Sequence, residues 1–256
     1  MSLKVGEQAN AHDGASATVS KLTSLAEAMR AAGHFEFKCV GPREEDRARY
    51  CVLRDHIAAI EARDLIARAA ARWLWLGRLR SLVSRWFGLD STLDRLRAEF
   101  LAIPLEEKWA DAVENLVVTV GKNLALDTIL AGSSYTVVGP YLGLTGATPS
   151  PASGDTMVSH SGWTEVGGTN APTYTSPRKT ITFSSAASGS KASTGTYTYA
   201  ITSSGTVGGG FLVFGSGAVS TIDSTAGTLL SCGAFTQGNK AVGNGDAITA
   251  TYTLSM

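Results

Sequence analysis

Long apolar runs are absent from this sequence. None approaches the roughly 20 residues that a membrane-spanning helix needs, and the first twenty residues, MSLKVGEQANAHDGASATVS, contain no apolar core of signal-peptide length. We therefore expect a protein that is made in a cytoplasm and stays in solution.

Cysteine is also scarce. The three cysteines, Cys39, Cys51 and Cys232, lie far apart and form no CxxC pair, which argues against both a disulfide framework and a zinc site. We expect buried free thiols in a reducing compartment.

Charge is missing from one part of the chain. The formal net charge is zero, so the bulk charge does not indicate nucleic acid or membrane as a partner. Of the 22 basic residues (Lys and Arg) and the 22 acidic residues (Asp and Glu), 17 of each lie in residues 1–115 and only 5 of each lie in residues 116–256. Glycine has the opposite distribution, with 22 of its 28 residues in the second segment. The two segments are as different in composition as two separate proteins.

The first segment opens with an arm, a short helix and a strand. Residues 1–20 are small and polar without periodicity, which is typical of an extended arm. A short helix is predicted from Ser20, which can cap it, to Gly33, which can end it. From His34 to Val40 apolar and charged residues alternate, which predicts a half-buried strand.

Helices are predicted from Glu44 to about Phe100. The last of them starts at a capping Asp90 or Ser91 and stops before Pro104. The stretch RAAARWLWLGRLRSLVSRWFG within this region has five arginines, no acidic residue, and tryptophan and leucine at helical spacing.

The second segment has the pattern of a β protein. The run NLVVTVG predicts a strand, and Leu124 to Ser133 predicts one short helix. Short runs rich in Thr, Val, Tyr and Phe follow, separated by turns: YTVVGPYLGLTG, RKTITFSS, GTYTYAITS, GGGFLVFGS, GTLLSCGAF and DAITATYTL. Six or more strands at this spacing predict an antiparallel β-sandwich or jelly-roll-like domain.

Two glycine motifs refine this prediction. The Asn-Gly pair of VGNGDA predicts a hairpin turn before the last strand. The glycines of TVGGGFLVFGSG lack the Lys and the helix start of a phosphate loop, so they predict a bulge or a tight strand crossing rather than a nucleotide site.

We predict that the β domain is discontinuous in sequence. A lone strand at 34–40 cannot bury its apolar face, so we expect it to pair with the region from Trp109 to Val120, and a long loop insertion costs little closure entropy. The predicted fold is α+β: an arm and short helix (1–33), the first strand (34–42), an inserted helical subdomain (43–104) and the remainder of the β-sandwich (105–256).

Several separated motifs resemble a family of uncharacterised β-rich structural proteins of tailed bacteriophages. They are FEFKCVG, EEKWADAVENLVVTVGKNLALDTILAGSSYTVVGPYLGL, GDTMVSHSGWTE, APTYTSPRK and GTLLSCGAFTQGNKAVGNGDAITATYTL. The resemblance covers residues 34–42 and 105–256 and leaves 43–104 unmatched, so it independently supports the insertion. It implies a component of the phage particle, made in the host cytoplasm and located in the virion.

The motif GDTMVSHSGWTEV, residues 154–166, has three interpretations. A hydrolase would use Ser159 or Ser161 with His160, but neighbours in extended chain point to opposite faces. A metal site would use Asp155, His160 and Glu165, whose spacing matches no known site. We favour a structural loop, in which Asp155 accepts turn hydrogen bonds, Trp163 plugs one end of the β domain, and Ser159 and His160 bond loop backbone groups. We therefore predict no catalytic residues, metal or cofactor.

The basic stretch 68–86 also has three interpretations. It can be a core helix with a solvated basic face, a docking element for an acidic protein surface, or a contact with nucleic acid or membrane. Acidic residues elsewhere in the helices argue against the last one. The candidate contact residues are Trp73, Trp75, Arg78, Arg80, Arg85 and Trp86, together with Trp163 and Tyr174 of the β domain.

The sequence therefore predicts a non-enzymatic virion protein that binds other virion proteins and forms homo-oligomers. We favour a capsid decoration or cement protein on the major capsid protein, because charged residues are depleted from interface cores. A tail or head-to-tail adaptor is the close alternative. A host-surface carbohydrate-binding module, in which Trp163, Tyr174 and Tyr141 stack on sugars, is a further one.

Overall fold

The computed structural model describes residues 32–73, 89–130, 138–175 and 177–255. Among these residues there are three helices, α1 (Glu44–Trp73), α2 (Leu89–Leu101) and α3 (Thr119–Leu130). The strands are β1 (Ala32–Pro42), β2 (Leu105–Val117), β3 (Tyr141–Thr145), β4 (Lys179–Thr180), β5 (Ser190–Ala192), β6 (Tyr197–Ala200), β7 (Gly205–Val207), β8 (Gly209–Phe214), β9 (Thr228–Ala234), β10 (Lys240–Val242) and β11 (Ala247–Ser255). None of the described helices is both long enough and apolar enough to cross a membrane.

Nine of the strands form one antiparallel sheet. Its order is β4-β3-β8-β9-β2-β1-β11-β5, with β6 also paired to β11, and β7 pairs with β10 in a separate ribbon. The predicted antiparallel, β-rich character is therefore confirmed. The main core lies against this sheet and takes in aromatic and aliphatic residues from nearly all of its strands, from Phe35 and Phe37 to Ile248 and Tyr252.

Strand β1 lies in the middle of the sheet because its sequence alternates. Phe35, Phe37 and Cys39 are buried, while the residues between them face solvent. Phe35 stands opposite Val113 of β2 on one side and Tyr252 of β11 on the other. The predicted pairing of strand 34–40 with the region from residue 109 is thus confirmed.

The helices α1 and α2 leave and rejoin the sheet at one point. Pro42, at the end of β1, is paired with Leu105, at the start of β2, so the two helices run antiparallel away from this pair and back to it. They pack on each other through a small cluster of their own, formed by Leu53, Leu96 and Ile103. Helices are therefore present at residues 44–73 and 89–101 of the predicted helical region, whereas residues 74–88 of that region lie outside the described residues.

The first turns of α1 contact the turn at residues 243–246. Asp246, whose side chain is 1% exposed, accepts hydrogen bonds from Arg47 Nη1 at 3.1 Å and from the N–H of Gly243 at 2.8 Å. Lys108 Nζ lies 3.6 Å from the same carboxylate. Two cations thus compensate this buried charge, which is the condition under which a buried carboxylate is tolerated.

The predicted hairpin at VGNGDA is wrong. Strand β10 pairs with β7, while β11 pairs with β1, β5 and β6, so the Asn-Gly turn joins two strands that are not neighbours. The turn instead contacts helix α1, where Arg54 Nη1 donates a hydrogen bond to Asn244 Oδ1 at 3.1 Å. Contacts with a distant helix have replaced the local hairpin.

The strand predicted for NLVVTVG is only partly present. Strand β2 ends at Val117, and α3 already starts at Thr119, five residues before the predicted Leu124. The chain changes from strand to helix at Val118, whose N–H donates a hydrogen bond to the carbonyl of Leu230. A Cβ on Gly121 would lie 2.6 Å from that same carbonyl, so the glycine allows α3 to pack closely on β9.

The glycine run at 208–210 forms a tight strand crossing, as predicted. A Cβ on Gly209 would overlap the carbonyl of Gly233 on β9, and a Cβ on Gly210 would lie 2.7 Å from the Phe37 ring. The backbone of β8 therefore passes closer to its neighbours than any side chain would permit.

The cysteines are free thiols, as predicted, whereas the N-terminal elements are described only in part. All three cysteines are free, with Cys39 and Cys232 buried and Cys51 half-buried. Burial, together with the nearby Asp246 carboxylate, raises the pKa of Cys39 to about 12. The predicted arm and most of the predicted helix lie outside the described residues, but Gly33, its predicted end, belongs to β1.

Candidate functional site

The loop at residues 154–166 is built around a buried tryptophan. Trp163 is 4% exposed, its ring centroid lies 4.9 Å from that of Phe211, and its Nε1 donates to Asp155 Oδ2 at 3.1 Å. The same carboxylate oxygen accepts the N–H of Ala152 at 3.0 Å. The predicted turn bonds of Asp155 and the buried position of Trp163 are therefore confirmed.

His160 supports this tryptophan. Its ring stacks on Trp163 with centroids 3.8 Å apart and planes 17° apart, and its Nδ1 lies 3.1 Å from the Trp163 carbonyl oxygen. Because a carbonyl oxygen only accepts, Nδ1 carries the proton. Among the described residues, no hydrogen bond joins this imidazole to Ser159 or Ser161, so the structure does not assemble the serine–histidine pair that a hydrolase would need.

Glu165 is committed to a buried ion pair. Arg178, which is 1% exposed, donates from Nε to Oε1 at 2.8 Å and from Nη2 to Oε2 at 2.7 Å. Oε2 also accepts the N–H of Asp223 at 2.9 Å. Asp155 and Glu165 therefore point into separate networks, and the part of the chain that the structure describes contains no cluster of three or more potential metal ligands.

Arg178 also ties together the loop that follows β8. Its Nη2 donates to the carbonyl of Ser224 at 2.7 Å and its Nη1 to the carbonyl of Val219 at 3.3 Å, while its guanidinium lies 5.3 Å from the Phe211 ring centroid. Such bidentate, stacked geometry suits arginine alone among the cationic side chains. The sequence alone did not indicate a role for Arg178.

The two aromatic contact candidates of the β domain lie inside it. Tyr174 is 6% exposed and packs edge-on against Tyr199 with centroids 5.1 Å apart, and Trp163 is enclosed as described above. Neither ring offers a face to solvent, which argues against the predicted stacking on sugars. Tyr141 is half-buried beside the same cluster as Trp163.

The contact candidates of the basic stretch cannot be placed in the same way. Trp73 is the last residue of α1, and only its backbone is described. The other five, Trp75, Arg78, Arg80, Arg85 and Trp86, lie outside the described residues.

Most of the few charged side chains of the β region are shielded from solvent. Among the side chains between residues 116 and 255 that the structure describes, the only exposed charged ones are those of Lys122, Lys191 and Asp223. The Asp223 carboxylate accepts hydrogen bonds from the backbone and hydroxyl of Thr169, both at 2.9 Å. The outer surface of this region is therefore formed almost entirely by uncharged groups.

A surface depression lies on the solvent face of β1, β2 and β11. It measures about 500 Å³ and is open, with Ala110, Ala112, Thr249 and Thr251 forming much of its floor. A small-molecule pocket encloses most of its ligand. This face instead resembles a broad contact surface of small side chains.

Asp111 is a further buried carboxylate, and the sequence did not indicate its role. Burial raises its pKa, but hydrogen bonds from Thr236, Lys240, and the N–H groups of Ala112 and Gln237 outweigh that effect, so the pKa lies below its ordinary value. Lys240 Nζ lies 3.0 Å from Oδ2. No local pattern singled out Asp111, because it lies among other charged residues of the first segment, and its partners Thr236 and Lys240 are distant in the chain.

We expect Asp111→Asn to destabilise the protein in a pH-dependent way. With the folded-state pKa below the unfolded value of about 3.9, the ionised carboxylate stabilises the fold at neutral pH, and this contribution is lost as the pH falls through the folded-state pKa. The loss at pH 7 should be about 1–3 kcal/mol, and it should shrink below about pH 4. Urea unfolding at the two pH values measures it.

The control is Glu114→Gln on the same strand. Glu114 is exposed, so this variant should match the wild type within about 0.5 kcal/mol at both pH values. An Asp111→Asn effect that is equally large at low pH would contradict the expectation.

Comparison with known proteins gave no relative. No family model, no curated protein and no solved structure matches this chain.

Proposed function

We propose that this protein is a non-enzymatic structural component of a tailed-phage particle, most simply a decoration protein that binds the major capsid protein. The resemblance of the motifs in residues 34–42 and 105–256 supports the phage particle as its location. The nearly uncharged surface of residues 138–255 is the observation that carries the assembly role. Charged residues are depleted at interface cores because burying them costs desolvation.

The side chains that could have formed a reactive centre support a non-enzymatic role. In the loop 154–166, His160 stacks on Trp163 and Asp155 holds the indole N–H. Glu165 is held by Arg178. The two carboxylates would have to give up these structural partners before they could act on a substrate, and one face of the imidazole is covered by the indole.

We further propose that the β region is sandwich-like and that residues 43–104 are an insertion in it. The pairing of Pro42 with Leu105 supports this proposal, because it closes the sheet on either side of the helices. The separate apolar cluster of the helices supports it as well.

Replacing residues 43–104 with a two-residue turn should therefore leave the sheet folded. Asp246 loses Arg47 in this shortened chain, so Asp246→Asn is included to avoid an undercompensated buried charge. The expected result is a β-type circular dichroism spectrum and protection of the β1 and β11 amides from hydrogen exchange. A chain that aggregates or exchanges freely would show that the helices are required by the sheet.

Quantitative mass spectrometry of purified particles tests the role. Hundreds of copies per particle are expected for a decoration protein, whereas a small fixed number, as in a symmetric ring, would identify a tail or head-to-tail component. Absence from particles would refute both. Particles carrying His160→Ala and Ser161→Ala should assemble and infect normally, and loss of infectivity with intact assembly would favour catalysis.

A further inference from the structure

An apolar patch is exposed where the helices rejoin the sheet. Leu101 and Leu105 expose 80% and 52% of their surface, and Ala102 and Pro104 between them are exposed as well. Ile103 between them is buried, and exposed apolar side chains grouped in this way are typical of contact sites.

Carboxylates are frequent on the strand and the helix that meet at this junction. The pairing of Gly41 with Glu106 brings the start of β2 beside the first turn of α1. The acidic residues at this place are Glu44, Glu45, Asp46, Glu106 and Glu107. We call these five, with the apolar residues 101, 102, 104 and 105, the junction patch.

The junction patch keeps an excess of negative charge. Lys38 pairs with Glu107 at 2.6 Å and Arg43 with Glu106 at 3.7 Å. Arg47 contacts Glu44 at 2.8 Å, but it also compensates the buried Asp246. Five carboxylates therefore share two cations and part of a third.

One segment of this chain has the complementary chemistry. Residues 68–80, RAAARWLWLGRLR, carry four arginines, two tryptophans and no acidic residue. Arginine and tryptophan are the side chains most enriched at the energetic centres of protein interfaces. Arginine forms ion pairs with carboxylates, and tryptophan packs on exposed leucines, so a surface that has both groups is complementary to this segment.

The segment cannot reach the junction patch of its own chain. Helix α1 has 30 residues, so Trp73 lies about 45 Å from Glu44 at 1.5 Å per residue. The seven residues from Trp73 to Arg80 span at most about 25 Å even when fully extended. The occupant must therefore come from another copy.

We propose that the junction patch binds residues 68–80 of a second copy of this chain. The tryptophans cover Leu101 and Leu105, and the arginines pair with the carboxylates of the patch. The contact joins two different surfaces, so it is head-to-tail and extends into a ring or an open chain of subunits. This self-association does not depend on the phage role proposed above.

Sedimentation of the full-length chain with paired variants tests the contact. The patch variant is Leu101→Ser, Leu105→Ser and Glu106→Gln, and the segment variant is Trp75→Ser and Arg78→Ser. The wild type should form oligomers that grow with concentration, and each variant alone should associate at least tenfold more weakly. An equimolar mixture should form heterodimers, because one variant retains the segment and the other retains the patch.

The matched control changes the same residue types elsewhere. Val158, which is 79% exposed, is replaced by Ser together with Glu114→Gln, and this variant should associate like the wild type. Heterodimer formation also shows that both partners are folded. A wild type that stays monomeric, a patch variant that associates normally, or a mixture that stays monomeric would each overturn the proposal.

Discussion

Replacing Arg178 with methionine is expected to lower the free energy of unfolding by about 3–5 kcal/mol. The methionine keeps much of the volume over Phe211 but leaves the Glu165 carboxylate, 6% exposed, without its cation. It also removes the hydrogen bonds that reach the carbonyls of Val219 and Ser224. Urea unfolding followed by circular dichroism measures the change.

Two comparisons separate charge from packing in this experiment. Arg97→Met breaks the exposed pair of Arg97 with Glu61 at 2.7 Å, and it should cost no more than about 1 kcal/mol because water screens that pair. Adding Glu165→Leu to Arg178→Met should recover part of the loss, since it removes the uncompensated charge. If the double variant is no more stable than Arg178→Met, the loss comes from packing.

Trp163→Ala is expected to cost a similar amount, about 3–5 kcal/mol. The substitution empties the space beside Phe211 and Met157 and leaves Asp155 buried without the indole N–H. The loop 154–166 should then lose its protection from hydrogen exchange along with the global stability. Thermal and urea denaturation measure the global change.

The matched control is His160→Ala. His160 is half-buried and covers one face of the indole, so its removal should cost only about 1 kcal/mol, in the range of an aromatic pair. A larger loss for His160→Ala than for Trp163→Ala would contradict the view that the tryptophan is the centre of this loop.

The sequence predicted elements best where burial and local pattern coincide. Alternation from His34 to Val40 predicted β1 because a strand between two others buries one face along its whole length. Strand β11 alternates in the same way, whereas β8 and β9 were predicted from continuous runs, which are buried along most of their length.

Prediction failed where a distant contact decided the local structure. The β-branched run ending in Val120 favours a strand, yet α3 starts at Thr119 because Gly121 permits close packing on Leu230. The Asn244–Gly245 turn favours a hairpin, yet it receives α1. A local sequence pattern cannot show that Leu230 packs against the start of α3, or that helix α1 contacts the Asn244–Gly245 turn.

The candidate site was predictable only within one loop. Asp155, His160 and Trp163 are close in sequence, so their mutual contacts could be inferred from turn chemistry. Arg178 and Glu165 are 13 residues apart and Asp111 and Thr236 are 125 apart. Their pairing depends on the order of strands in the sheet, which periodicity does not encode.

The place of β1 between β2 and β11 has a consequence for how the chain folds during synthesis. Lys38 and Thr249 are directly opposite in the sheet and 211 residues apart in the chain. A ribosome adding 5–20 residues per second reaches the last strand only about 10–40 s after it has made the first. Until then one edge of β1 stays open, and its unpaired backbone N–H and C=O groups are available to any other strand that meets them.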